Sequence, residues 1–128
     1  MNKLNLLVLF ISASVLFSQQ PDTPTHHLEL LTPDATEPVT TSMSIYTDQH
    51  KRYICIEFPD GFITAEYIFV NDSTLKFQLA EIRNNGLVTI QFIGTGKLEN
   101  KVEGKFTAIV DGIRREDMSG KFKITKYQ

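Results

Sequence analysis

The sequence predicts an all-β domain, an antiparallel meander of eight to nine strands that forms a small barrel or a sandwich. Apolar and polar residues alternate along most segments after Thr41, which is the period of a half-buried strand. Turn-forming pairs such as Asp111-Gly112 separate these segments by short connections, mostly of about two to four residues. No segment repeats its apolar residues with the period of a helix for more than a turn or two.

The first 18 residues have the parts of a secretory signal. Lys3 precedes the run Leu6–Phe17, which is apolar except for two serines. The run is followed by the small residue Ser18. A membrane-spanning helix needs about 20 apolar residues, and this run is shorter. We therefore predict a signal peptide at residues 1–18, a secreted or periplasmic protein, and no stable membrane anchor after cleavage. An uncleaved anchor is the alternative interpretation.

Residues 19–41 form an extended Pro/Thr-rich segment. They contain four prolines and six threonines, and proline removes donors from a strand ladder. The short apolar run Leu28–Leu31 is interpreted as an edge strand within this segment. Residues 42–128 then form the barrel or sandwich domain.

Turn residues divide the domain into its strands. Phe62–Val70 is apolar on nearly every residue and is placed at the centre of a sheet. Phe92, Phe106 and Phe122 alternate with polar residues and are predicted to point inward. The stretch from Gly112 to Ser119 is left open as a loop or a helical turn. The predicted breaks, each rich in Gly, Asn, Asp or Pro, are Asp48–Lys51, Pro59–Gly61, Asn71–Ser73, Asn84–Gly86, Gly94–Gly96 (a turn, bulge or sharp bend), Glu99–Asn100 and Asp111–Gly112.

The C-terminal third is similar to small secreted bacterial proteins of the lipocalin-like, meander-barrel type. The segments that carry the likeness are Gly94-Thr95-Gly96-Lys97-Leu98, Val102-Glu103-Gly104-Lys105-Phe106 and Ser119-Gly120-Lys121-Phe122-Lys123-Ile124. The Gly-x-Trp motif of lipocalins is absent, because the chain has no Trp. The resemblance implies a barrel whose mouth accepts a small apolar ligand, and it implies no catalytic residue.

The charge distribution argues against a nucleic-acid partner. The formal net charge is −2, and loss of Lys3 with the signal makes it −3. From Lys97 onward there are eight Lys and Arg against five Asp and Glu, whereas residues 19–96 hold four against ten. Because the lysines alternate with the phenylalanines, we interpret the basic end as a solvated strand surface rather than a stacking platform for bases.

The candidate site residues lie in the middle strands, where polar residues interrupt apolar runs. Glu57 and Glu66 each interrupt such a run, and a buried carboxylate would need a partner such as Arg52 or Arg83. We select Tyr53, Glu57, Glu66 and Arg83 as the candidate ligand-binding residues. The alternative interpretation is that Glu57 and Glu66 both face solvent. No nucleophile elbow or zinc-protease motif occurs, so no catalytic residue is assigned.

The histidines and the cysteine are interpreted as non-functional. His26 and His27 end the Pro/Thr-rich segment and His50 lies in a polar turn, so we predict solvated loop histidines and no metal or other cofactor. Cys55, the only cysteine of an exported chain, is predicted to be a buried, unreactive thiol. An intermolecular disulfide or a nucleophile is the alternative.

Three functions remain open from the sequence. The first is a secreted, non-enzymatic β-domain that binds a small apolar ligand or a cell-envelope partner. The second is a small exported hydrolase that uses Glu57 or Glu66. The third is an adhesive or structural module that pairs an edge strand with another protein. The sequence does not specify the ligand or the oligomeric state.

Overall fold

A computed structural model describes residues 23–58, 61–83 and 86–127. The proposed signal peptide and the first residues of the Pro/Thr-rich segment lie outside this part of the chain, as do the turn residues Pro59-Asp60 and Asn84-Asn85. The described part holds no helix that is long and apolar enough to span a membrane.

The chain forms a closed antiparallel barrel of eight strands, so the predicted meander is confirmed and the barrel is the correct alternative. Each strand pairs with the next, and β8 pairs with β1 to close the wall. The strands are β1 (His26–Leu31), β2 (Val39–Asp48), β3 (Lys51–Phe58), β4 (Gly61–Asn71), β5 (Thr74–Arg83), β6 (Gly86–Lys97), β7 (Lys101–Val110) and β8 (Ile113–Lys126).

The first strand is a full member of the wall and not an edge. Leu28 pairs with Thr41 of β2 on one side and with Ile124 of β8 on the other. Leu28 and Leu30 are buried in the core. The barrel therefore begins at His26, inside the segment that we interpreted from its prolines as mostly linker, because the prolines lie on either side of β1.

Four phenylalanines fill the centre of the barrel. Phe77 and Phe92 stack with their ring centroids 4.4 Å apart, and Phe122 meets Phe92 edge-on at 5.2 Å. Phe106 lies 5.7 Å from Phe92. The predicted inward set of Phe92, Phe106 and Phe122 is confirmed, since all three are buried. Offset and edge-to-face aromatic pairs stabilise a core beyond the area that they bury.

Two turn predictions are confirmed by backbone angles. Gln49 and His50 have φ angles of 51° and 69°, and Asp111 and Gly112 have 52° and 81°. Two consecutive positive φ angles match the two-residue turns whose twist fits that of the flanking strands.

The turn or bulge that we predicted at Gly94–Gly96 is absent. These residues continue β6, and Gly94 pairs with Gly104 of β7 in an unshifted register. The glycines are required because the backbones approach closely: a Cβ on Gly104 would lie 2.0 Å from the Ile93 carbonyl oxygen. The next turn follows Lys97, where the Asn100 amide bonds the Lys97 carbonyl at 3.0 Å, and it includes the predicted Glu99-Asn100.

The stretch from Gly112 to Ser119, which we left as a loop or helical turn, is the first part of β8 and contains a bulge. Phe106 pairs with Gly120, whereas Ala108 pairs with Arg115, so β8 carries more residues than β7 over this span. The buried Ser119 hydroxyl closes the gap: it accepts from the Ala108 amide at 3.0 Å and donates to the Arg115 carbonyl at 2.7 Å.

Replacing Ser119 by alanine is expected to lower the free energy of unfolding by about 2–6 kcal/mol. The change leaves a buried backbone donor and an acceptor without partners, and each costs about 1–3 kcal/mol. Urea unfolding measures the loss. Ser42→Ala is the matched control, because its hydroxyl makes only an exposed contact with Tyr127 at 3.3 Å. Equal effects of the two changes would contradict the bridging role of Ser119.

Candidate functional site

One end of the barrel forms a hollow that is the best candidate for a binding site. The turns after β2, β4 and β6 meet there, together with the start of β1 and the end of β8. We call this space the mouth hollow; its volume is about 520 Å³. It is lined by Thr25, His26, Ile45, Thr47, Arg52, Tyr67, Phe69, Leu98, Glu99 and Lys126.

The floor of the mouth hollow is apolar. Tyr67 and Phe69 alternate inward on β4 and meet edge-on, with ring centroids 6.3 Å apart. A register shift between Phe69 and Asn71 ends the regular β4–β5 pairing just beyond them. Leu98, from the turn after β6, is 9% exposed and packs against the core. An apolar surface of this kind favours the apolar part of a ligand.

Charged side chains stand at the rim of the hollow. Arg52 and Glu99 line it and also line a second hollow of about 710 Å³ beside it. Both charges influence Tyr67 in the floor. Burial raises the pKa of the Tyr67 hydroxyl, the Arg52 guanidinium opposes this rise and the Glu99 carboxylate adds to it. The site therefore combines an apolar floor with charges of both signs at the entrance.

His26 forms part of the wall in a neutral state. Its side chain is buried, and its Nε2 donates to the Leu98 carbonyl at 2.6 Å. Nδ1 then accepts from the Thr25 hydroxyl at 2.7 Å, and that hydroxyl in turn accepts from the Ile45 amide at 3.1 Å. Burial lowers the pKa of His26 and outweighs its bond to Leu98. The prediction of a solvated loop histidine is thus wrong here, because β1 begins at His26 itself.

The lowered pKa of His26 predicts a loss of stability in weak acid. The unfolded chain takes up a proton near pH 6.5, whereas the folded barrel resists protonation until a lower pH. The unfolded state therefore binds more protons in this window, and the free energy of unfolding falls as pH drops below about 6.5. The urea midpoint, measured from about pH 5 to about pH 8, reports this loss of stability, because that interval roughly spans the titration of histidine.

Two variants isolate this effect. In His26→Gln the pH dependence between these values should disappear, because the amide does not titrate yet still donates to the Leu98 carbonyl. In His27→Gln, which changes the half-buried neighbour, it should remain. An unchanged pH dependence in His26→Gln would contradict the assignment.

The predicted residues Tyr53 and Glu66 come together, but on the outer wall. They are direct partners across β3 and β4. Tyr53 also stacks with Tyr46 of β2, with ring centroids 5.4 Å apart. Glu66 is exposed and borders a groove on the outside of β4 to β6.

Glu57 and Arg83 lie apart from that pair. Glu57 is exposed, and Glu66 pairs with the residue four positions before it, so about 13 Å separates them along the strands. A glycosidase holds its two carboxyl groups about 5–9.5 Å apart, so these two do not form such a pair. Arg83 ends β5 opposite Gly86, and its side chain lies outside the described part of the structure.

Two residues of the mouth hollow lie one position away from residues that we selected from the sequence. Arg52 and Tyr67 line the hollow, and they directly neighbour the selected Tyr53 and Glu66 along the chain. Because successive strand residues face opposite sides, a shift of one residue moves a side chain from the outer wall to the mouth. The signal that could have located the hollow was the pair of inward-facing aromatic residues near the end of β4, Tyr67 and Phe69.

Cys55 is a free, buried thiol, as predicted. Burial raises the pKa of the Cys55 thiol, which keeps it protonated and weakly nucleophilic at neutral pH. Among the residues that the structure describes, no three His, Cys, Asp or Glu side chains are grouped so that they could hold a metal ion.

The fold defines the chain as an eight-stranded antiparallel meander barrel, consistent with a lipocalin-like architecture. Comparison with protein-family models, curated proteins and solved structures finds no match.

Proposed function

We propose that this protein is an exported, non-enzymatic binding domain of the lipocalin-like kind, which holds a small apolar ligand in the mouth hollow. The observation that carries the proposal is the hollow itself, with its apolar floor of Tyr67, Phe69 and Leu98. Its volume falls within the range of about 300–1,000 Å³ that is usual for small-molecule sites.

The packed interior limits where the ligand lies. The middle of the barrel is filled by Phe77, Phe92, Phe106 and Phe122. The apolar floor of the mouth hollow therefore lies near one end of the barrel. The ligand therefore rests on the floor at the mouth rather than deep between the strands. A compact molecule with one polar end suits this arrangement, because Arg52, Glu99 and Lys126 stand at the rim.

Export is supported by the sequence. Lys3, the apolar run Leu6–Phe17 and the small residue Ser18 have the order of a signal peptide.

Introducing a carboxylate into the floor is expected to weaken binding of an apolar probe. Phe69→Glu removes an aromatic surface worth about 1.5–3 kcal/mol and so lowers affinity about tenfold or more. The probe is anilinonaphthalene sulfonate, whose fluorescence rises in an apolar site. Titration of the folded protein gives the affinity.

Ile113→Glu is the control for Phe69→Glu. Ile113 is 68% exposed and starts β8 at the opposite end of the barrel. Its replacement by glutamate therefore adds the same charge far from the mouth hollow. Its affinity for the probe should match that of the unaltered protein. Absence of probe binding to the folded protein, or equal losses in both variants, would refute the proposed site.

A further inference from the structure

A row of two isoleucines and three lysines crosses the outer wall from β4 to β8. Ile68 pairs with Lys76, Lys76 with Ile93, Ile93 with Lys105, and Lys105 with Lys121. We call these five residues the lysine–isoleucine row. Adjacent strands lie about 4.8 Å apart, so the row is about 19 Å long.

The charges of the row repel one another. Lys105 and Lys121 are exposed and directly opposite each other, an arrangement that destabilises a pair of strands. Lys76 extends the same row two strands away. A negatively charged partner above the row relieves this repulsion.

Two acidic residues beside the basic end of the row already have cationic partners. Glu103 forms an ion pair with Lys101 at 3.0 Å, and Glu29 pairs with Lys123 at 3.4 Å. Lys105 and Lys121 flank this compensated part of the wall. The positive charges of Lys105 and Lys121 are therefore available to a partner.

The isoleucines of the row are unusually accessible. Ile68 is 55% exposed and Ile93 is 47% exposed. They border an outer groove of about 480 Å³, and Lys76 stands between them. Large apolar side chains on a charged wall suit a partner that offers both apolar and anionic groups.

One acidic side chain borders the row. Glu66 is exposed and lines the outer groove together with Ile68, Lys76 and Ile93. Lys105 and Lys121 follow Ile93 on β7 and β8 and do not line that groove. An anionic surface is therefore attracted mainly by this basic end of the row, although the net charge of the chain is −2.

We propose that the lysine–isoleucine row docks the protein on the surface of an anionic lipid bilayer. The lysines contact lipid phosphates, while Ile68 and Ile93 enter the boundary between headgroups and acyl chains. A nucleic acid would use the lysines and leave the isoleucines in water, so a lipid surface fits both features of the row. This docking is independent of the ligand in the mouth hollow.

The test measures cosedimentation of the exported protein with lipid vesicles. We expect binding to vesicles of phosphatidylcholine with one quarter phosphatidylglycerol, and little binding to phosphatidylcholine alone. Lys105→Gln combined with Lys121→Gln should weaken binding about 30-fold, because each lysine near an anionic surface contributes about 1 kcal/mol, or about fivefold in affinity. Thermal unfolding verifies that the variants are folded.

Two further variants separate the row from bulk charge. Lys51→Gln combined with Arg114→Gln removes the same charge from exposed sites outside the row, and it should weaken binding less than about threefold. Ile93→Ser should weaken vesicle binding without changing its salt dependence. Equal losses in both double variants, or equal binding to both kinds of vesicle, would overturn the proposal. Binding to soluble polyglutamate but not to vesicles would instead indicate an acidic protein partner and would also overturn it.

Discussion

Alanine at Gly104 is expected to destabilise the barrel by about 3 kcal/mol or more, at the upper end of the cost of overpacking. An added Cβ would lie 2.0 Å from the Ile93 carbonyl oxygen and 2.4 Å from the Gly94 Cα. Both atoms belong to the backbone of β6, so no side-chain rotation relieves the clash. Strands β6 and β7 must separate, and their hydrogen bonds weaken. Urea unfolding measures the loss.

Gly112→Ala is the comparison for this prediction. Gly112 has a φ of 81° but nothing within 4 Å of an added Cβ. Its replacement therefore costs only the left-handed backbone strain, about 1–2 kcal/mol. If the two variants unfold at the same urea concentration, close approach of the strands is not the reason for glycine at Gly104.

Phe92→Ala is the other change for which we expect a large effect. It should lower the free energy of unfolding by about 3–5 kcal/mol. The ring is 1% exposed and contacts three other phenylalanines, of which Phe77 is stacked at 4.4 Å. Removing it leaves a cavity in the middle of the core, which the surrounding strands fill only in part. Thermal or urea unfolding detects the change.

The neighbouring Ile93 provides the control for the core. Ile93→Ala changes a side chain that is 47% exposed on the outer wall, and it should cost within about 0.5 kcal/mol. A loss for Phe92→Ala as small as that for Ile93→Ala would contradict the packed aromatic core.

Much of the fold could be predicted because the relevant signals are local. The alternation that places Phe92, Phe106 and Phe122 inward is visible along each strand. The turn at Asp111-Gly112 follows from residues that tolerate positive φ angles. Neither inference requires knowledge of which strands lie next to each other.

The wrong predictions involve partners that are distant in the sequence. Gly94 and Gly96 have the composition of a turn, yet they serve a close approach between β6 and β7. The bulge in β8 depends on a hydroxyl of Ser119 that bonds the Ala108 amide of the preceding strand. Local sequence does not distinguish these roles from a loop.

The residues of the candidate site differ from those selected from the sequence. The resemblance to lipocalin-like proteins implied a ligand at a barrel mouth, but the selected Tyr53 and Glu66 lie on the outer wall. Arg52, Tyr67 and Leu98 meet at the mouth because the stagger of the closed barrel brings their strand ends together. That stagger is a property of the whole sheet and not of any one segment.

Native mass spectrometry of the folded protein tests the proposed ligand binding most directly. We expect a fraction of the molecules to carry a small apolar compound, which is lost in Phe69→Glu and retained in Ile113→Glu. Protein that carries no compound and that takes up no apolar probe, while remaining folded, would contradict the account.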